Sequence, residues 1–293
     1  MENNFISNGK IKLAYSLKGG WMTSIFDLEN NIERQYQPRE DAWMGQDVVI
    51  FPFIARLIDK TYTVNGKTYS MDNHGLCRYN NFEVKEKSSN RVVLSFDSNE
   101  ETLKQYPYEF NFEVIYTLEN RTVNIEYKVK NTCKTPMFFG IGGHPALKVS
   151  ALETKNETIL DGTKVVFDEE LDLTQMTLTD DGSFITGEKS FGKVKEIPIT
   201  KELFRKEKTL MLKAEKIKRC ILIDKDGNEV HYSWPSINYL AIWSHPHFGD
   251  YVCVEPWMSL PDFVGSSKEL SQKKTLISLN PNETYSFIYS IKI

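Results

Sequence analysis

The chain reads as all-β, a large antiparallel β-sandwich with very little helix. Apolar and polar residues alternate with a two-residue period, tight-turn signals stand between the alternating runs, and the three-to-four-residue spacing of an amphipathic helix is nearly missing. The clearest run is Thr122 to Asn131, T-V-N-I-E-Y-K-V-K-N, where Val123, Ile125, Tyr127 and Val129 alternate with polar neighbours. A pleated strand sends successive side chains to opposite faces, so this run predicts a half-buried strand. Glu109 to Leu118 is also β-rich, and Glu119-Asn120-Arg121 supplies a tight turn that makes the two an antiparallel pair.

Further elements follow along the chain. Thr61-Tyr62-Thr63-Val64 and Lys67-Thr68-Tyr69-Ser70 flank Asn65-Gly66, a pair that tolerates positive φ and so predicts a hairpin. Ile221 to Asp224 and Glu229 to Tyr232 flank Lys225-Asp226-Gly227-Asn228 in the same way. Arg91 to Phe96, Leu240 to Ser244, Tyr251 to Glu255 and Tyr285 to Ile293 are further β-like runs, and Lys201 to Lys206 is the one good candidate for a short helix. No Pro/Gly/Ser-rich linker, internal repeat or low-complexity tract interrupts the 293 residues, so residues 1–293 are expected to form one domain.

Composition narrows the function classes. With 36 basic against 40 acidic residues and a net charge of −4, the chain lacks the basic excess that favours a phosphate backbone, so nucleic acid is not expected as a partner. Its longest clean apolar run, Val48 to Ile54, contains Pro52 and falls far short of the ~20 residues a membrane helix needs. Met1-Glu2-Asn3-Asn4-Phe5 has neither the basic start nor the apolar stretch of a secretory signal, and Cys77, Cys133, Cys220 and Cys253 lie far apart with no C-x-x-C pair. These features predict a cytoplasmic protein without membrane contact, structural zinc or a disulfide framework; monomer and homodimer stay equally open.

Three segments carry the chemistry. Gly142-Gly143-His144-Pro145 follows a strand-like run, and Cys253-Val254-Glu255-Pro256-Trp257 sets a lone carboxylate in an apolar, aromatic stretch. Surroundings that exclude water tune an imidazole and a carboxylate toward proton exchange near neutrality. Asn73-His74-Gly75-Leu76-Cys77-Arg78 adds a second imidazole and a guanidinium. Taken singly each residue has a plainer reading: His144 a core or loop histidine, His74 a turn residue, Arg56 and Arg78 surface charges. Gly187 to Val194 mimics a phosphate-binding loop, but Val194 replaces the Ser or Thr that would meet magnesium and no helix follows. His245-Pro246-His247 with Glu255 is a possible metal set on an extended segment, against which the surrounding Ser244, Pro246 and Phe248-Gly249-Asp250 read as strand exit and turn.

The ordered combination is more specific than its parts. Phe51-Pro52, Arg56, the Asn65-Gly66 hairpin, His74-Gly75-Leu76-Cys77-Arg78, Gly143-His144-Pro145, Trp243 and Glu255-Pro256-Trp257 together resemble the aldose 1-epimerase (galactose mutarotase-like) family, and within it the LacX-type branch, from about the first strand to the C-terminus. The resemblance implies a galactose mutarotase-like supersandwich with a sugar cleft on one sheet. It implies interconversion of the α and β anomers of a free aldose, Glu255 as general base and His144 as general acid. His74 and Arg56 would hold the sugar, with Arg78 facing it as well. Trp243 or Trp257 is either an apolar platform for the sugar ring or core. No cofactor and no metal are expected, since opposed acid and base groups in a fixed cleft suffice.

The family also uses a mid-chain acidic residue to bind a sugar hydroxyl; Asp161 to Glu207 contains many acids without a distinctive frame, so none is assigned. Besides a metal-dependent oxygenase that would use His245, His247 and Glu255, two rivals accompany this reading. One is a hexose-6-phosphate mutarotase, whose pattern carries an arginine before the Phe-Pro segment where this chain has Met44-Gly45-Gln46-Asp47. The other is a carbohydrate-binding protein that keeps the cleft without turnover.

Overall fold

The structure is a computed structural model and describes residues 4–149 and 160–293. Among the described residues, strands Phe5–Ser7, Ile11–Tyr15, Met22–Asp27 and Ile32–Glu33 form a small N-terminal meander, and a 15-stranded sheet makes the body of the fold. From one end its path runs Val49–Ile50, Gly142–Gly143, Tyr251–Trp257, Tyr239–Trp243, Leu210–Lys213 and Thr163–Leu178. It continues through Arg219–Ile223, Glu229–Ser233, Thr284–Lys292, Thr122–Asn131, Phe110–Glu119 and Arg91–Asp97 to Glu83–Lys87. All the ladders are antiparallel, as the alternation predicted.

Strand Thr122–Asn131 pairs with Phe110–Glu119 through the Asn120 turn, which takes φ 53°. The Asn65-Gly66 hairpin joins Thr61–Val64 to Lys67–Ser70 with both central residues at positive φ, the geometry that matches strand twist. Short helices occupy Lys201–Glu207, as expected, and Glu100–Gln105, which was not foreseen. The Asn99 side chain accepts from the backbone N–H groups of Glu101 and Thr102, and Thr102 Oγ1 accepts in turn from the Asn99 N–H, a capping box that stabilises a turn too short to show periodicity. The phosphate-loop mimic Gly187–Val194 lies inside strand Ile185–Ile199, so it is extended rather than a loop, and the helix Lys201–Glu207 starts only after that strand has ended.

Strand Tyr251–Trp257 is buried on both faces, and its alternation sorts its side chains between two layers. Val252 and Val254 join the main core beside Leu240, Ile242, Leu210 and Leu212. Tyr251, Cys253, Glu255 and Trp257 face the other way, toward Ala241, Trp243 and Met211 of the neighbouring strands. One sheet thus carries a hydrocarbon core on one side and polar groups on the other. No helix among the described residues is long and apolar enough to cross a membrane.

Candidate active site

Strand register brings the two central residues together. Gly142 pairs with Trp257 and Ala146 with Cys253, so His144, midway between, stands opposite Glu255 although Pro145 interrupts the ladder. Imidazole Nε2 lies 3.3 Å from carboxylate Oε2. Gly142 permits this approach: a Cβ there would sit 2.5 Å from Trp257 Cδ1. Both groups line a cleft of about 360 Å³ that also takes in Arg56, His74, Arg78 and Trp243, so all six candidate residues share one cavity.

Glu255 is 1 % and His144 7 % exposed. Burial pushes the Glu255 carboxyl well above the usual carboxylate range, with the nearby Trp257 indole acting in the opposite direction and the Asp47 carboxyl adding to the rise. Burial also pulls His144 down to about 3, and the Arg78 charge pulls the same way. Despite their short separation the two are not aligned for a hydrogen bond: Glu255 Oε2 and His144 Nδ1 are both buried without a partner. Buried polar atoms left unpaired cost free energy, so this pair gains when a ligand supplies donors and acceptors.

His74 is fixed by its backbone and its ring. His74 and Gly75 both take positive φ, 63° and 78°, and a Cβ on Gly75 would fall 2.2 Å from the Phe51 carbonyl oxygen, so the tight crossing over Phe51 needs glycine. The Ala55 N–H donates to His74 Nδ1 at 3.2 Å, which places the ring proton on Nε2. Burial, then the fields of His144, Arg78 and Arg56, hold this imidazole well below its ordinary range, hence neutral. Arg56 donates through Nη1 to Ser183 Oγ at 3.0 Å. Arg78 lines the cleft with no carboxylate within ion-pair distance among the described residues. Trp243 stands 5.8 Å from the His144 ring, and Trp43 packs edge-on against Trp243 at 5.3 Å and lies 5.2 Å from His144, so the two indoles wall the His144 side of the cleft.

Two features escaped sequence reasoning. Strands Thr163–Leu178 and Ile185–Ile199 form a long bulged ribbon whose turn delivers Asp181, Gly182 and Ser183 to the cleft. Asp181 accepts from Thr179 Oγ1 at 2.6 Å and from Ser183 Oγ at 2.7 Å; these bonds hold its carboxyl down to about 2. Its only sequence signal is the Thr-Asp-Asp-Gly-Ser turn at 179–183. Trp43 sits in an irregular segment without periodicity. Of the suggested metal set, His245 lines the cleft but spends Nδ1 accepting from the N–H groups of His247 and Phe248. Among the described residues, the group able to hold a cation is instead His144, Cys253 and Glu255.

Comparison with known proteins bears on the family and the fold. The sequence profile described as aldose 1-epimerase matches residues 5–292. Protein LacX of Lactococcus lactis subsp. lactis is 24 % identical over 304 residues, covering 98 % of each chain. A galactose mutarotase related enzyme from Lactobacillus acidophilus superposes with TM-score 0.92 at 26 % identity, over 98 % of this chain and 96 % of that one. A galactose mutarotase-like protein from Lactobacillus casei gives 0.91 at 24 %, over 98 % of both.

Proposed function

Because the chain belongs to the aldose 1-epimerase family, we propose that it interconverts the α and β anomers of a free aldose, with Glu255 as general base and His144 as general acid. The observation that carries this reading is the buried, unbonded Glu255–His144 pair, 3.3 Å apart at the floor of one cleft.

The pair holds one proton. In the open cleft both shifts place it on Glu255, leaving a neutral imidazole. Passing it across the gap makes a carboxylate and an imidazolium without changing the net charge, and sugar hydroxyls replace the missing solvation of both ions. Glu255 then takes the proton of the anomeric hydroxyl, its electron pair forms the C1 carbonyl, the bond from C1 to the ring oxygen breaks, and that oxygen takes the proton from His144. Rotation about the C1–C2 bond turns the other carbonyl face, and the same transfers in reverse close the opposite anomer. His74 Nε2–H and the Arg56 fork donate to sugar oxygens, Asp181 accepts from a hydroxyl, and Trp43 and Trp243 exclude water.

Polarimetry on freshly dissolved glucose or galactose tests this. Glu255→Gln and His144→Asn, each folded, are expected to slow enzymatic relaxation by about 10²–10⁴-fold; variants that relax anomers at the unmodified rate would refute the assignment. A sugar-binding protein without turnover would bind aldoses and leave the rate at its uncatalysed value.

One observation favours a second reading of the substrate. Arg78 lines the cleft with Arg56 and has no carboxylate within ion-pair distance among the described residues, a charge an anionic sugar would neutralise. Turnover of glucose 6-phosphate exceeding that of glucose would select a hexose-6-phosphate mutarotase.

A further inference from the structure

We propose that the cleft floor is also a binding site for a thiophilic divalent cation, zinc above all, held by His144, Cys253 and Glu255, and that the bound ion shuts off anomer exchange. Cys253 and Glu255 are two residues apart on one strand and face the same side, while His144 reaches over from the adjacent segment. One ligand atom from each lies within 4.8 Å of the others, and all three residues are buried. Cys253 is a free thiol, and Glu255 Oε2 is buried with no hydrogen-bond partner.

The donor set selects the ion. Nitrogen, sulfur and one carboxylate oxygen suit zinc, whereas magnesium and calcium take oxygen ligands. Tetrahedral zinc with bonds of about 2.0–2.3 Å spaces its ligand atoms about 3.3–3.7 Å apart. The His144–Glu255 separation of 3.3 Å already fits, and the third ligand needs a shift of about an ångström, within reach of rotamer adjustment. The imidazole binds through a lone pair on nitrogen, and the protons of the thiol and carboxyl pass to solvent. His144 and Glu255 line the cleft, which gives the ion its entry.

Inhibition rests on the acid–base reading above, because zinc takes both lone pairs that relay protons; binding does not rest on it. Cobalt(II) titration of the full chain reads binding directly. A thiolate-to-cobalt charge-transfer band with tetrahedral visible bands is expected for the unmodified chain, and loss of the charge-transfer band for Cys253→Ser and Cys253→Ala, with Cys77, Cys133 and Cys220 present throughout. Equal bands in the variants, or no cobalt spectrum in the unmodified chain, overturn the site. In parallel, zinc is expected to slow anomer exchange reversibly by chelator, with at least tenfold weaker inhibition in either variant relative to its own zinc-free rate. Equal inhibition in variant and unmodified chain overturns the inhibitory role. If the chain shows no exchange at all, the acid–base reading fails while the cobalt spectrum still decides the site.

Discussion

His144 and Glu255 face each other across adjacent antiparallel segments, 3.3 Å apart and buried, yet without a hydrogen bond between them. On the proposed acid–base reading one proton serves both, so they act as a unit. The double variant Glu255→Gln/His144→Asn is therefore expected to lose little more activity than the worse single variant, far less than the product of the two losses. Initial anomerisation rates of the four proteins check this, and multiplicative losses would mean independent roles.

Asp181 reaches the cleft on the ribbon turn and shares Ser183 with Arg56. Asp181→Asn keeps the turn's shape and removes the charge that, on the proposed reading, accepts a sugar hydroxyl. A KM increase of about tenfold with kcat nearly unchanged is expected. A fall in kcat at constant KM would move Asp181 into the chemical step.

Lys201, 2 % exposed, drives its ammonium into a crown of acceptors: Ser244 Oγ at 3.2 Å and the carbonyls of His245, Phe248 and Gly249 at 2.8, 3.1 and 2.8 Å. It pins the segment that leads from Trp243 through His245 along the cleft wall. Lys201→Met leaves these acceptors without a donor and is expected to cost about 2–4 kcal/mol in urea unfolding and to raise KM. Unchanged stability would show that the loop holds itself.

Asp27 ties the N-terminal meander to the large sheet. It accepts from the fork of Arg121, whose Nε donates to the Ile293 carbonyl at 2.9 Å, and from Asn30. Burial alone would raise this carboxyl, but the Arg121 and Asn30 hydrogen bonds outweigh it and lower it from 3.8 to about 2. A depressed folded value gives stability that is complete above the unfolded pKa and lost as pH falls from about 4 to about 2. Asp27→Asn is expected to cost about 1–2 kcal/mol at pH 7 and to differ little from the unmodified chain at pH 2. Chemical denaturation at both pH values measures it, and an equal deficit at pH 2 would point to packing rather than charge.

Much of the fold was legible because strand alternation is a local property. Thr122–Asn131 shows its buried face within ten residues, and Asn65-Gly66 announces its own turn. The long ribbon was not legible: much of Thr163–Leu178 and Ile185–Ile199 lies toward solvent and bulges break its register, so charged residues fall where apolar ones would have marked a face. Asp181 was hidden with it, and the helix Glu100–Gln105 depends on a cap rather than on a pattern.

The amino-acid sequence by itself determined the all-β class, most strands, and the six residues put forward for the site. Only the tertiary structure decided that Arg56, His74, Arg78, His144, Trp243 and Glu255 line one cavity and that Asp181 and Trp43 join them. The reason is range. Alternation is written by the pleat of a single strand, whereas a cleft depends on the register between strands more than a hundred residues apart, such as the pairings of Gly142 with Trp257 and Ala146 with Cys253 that set His144 against Glu255.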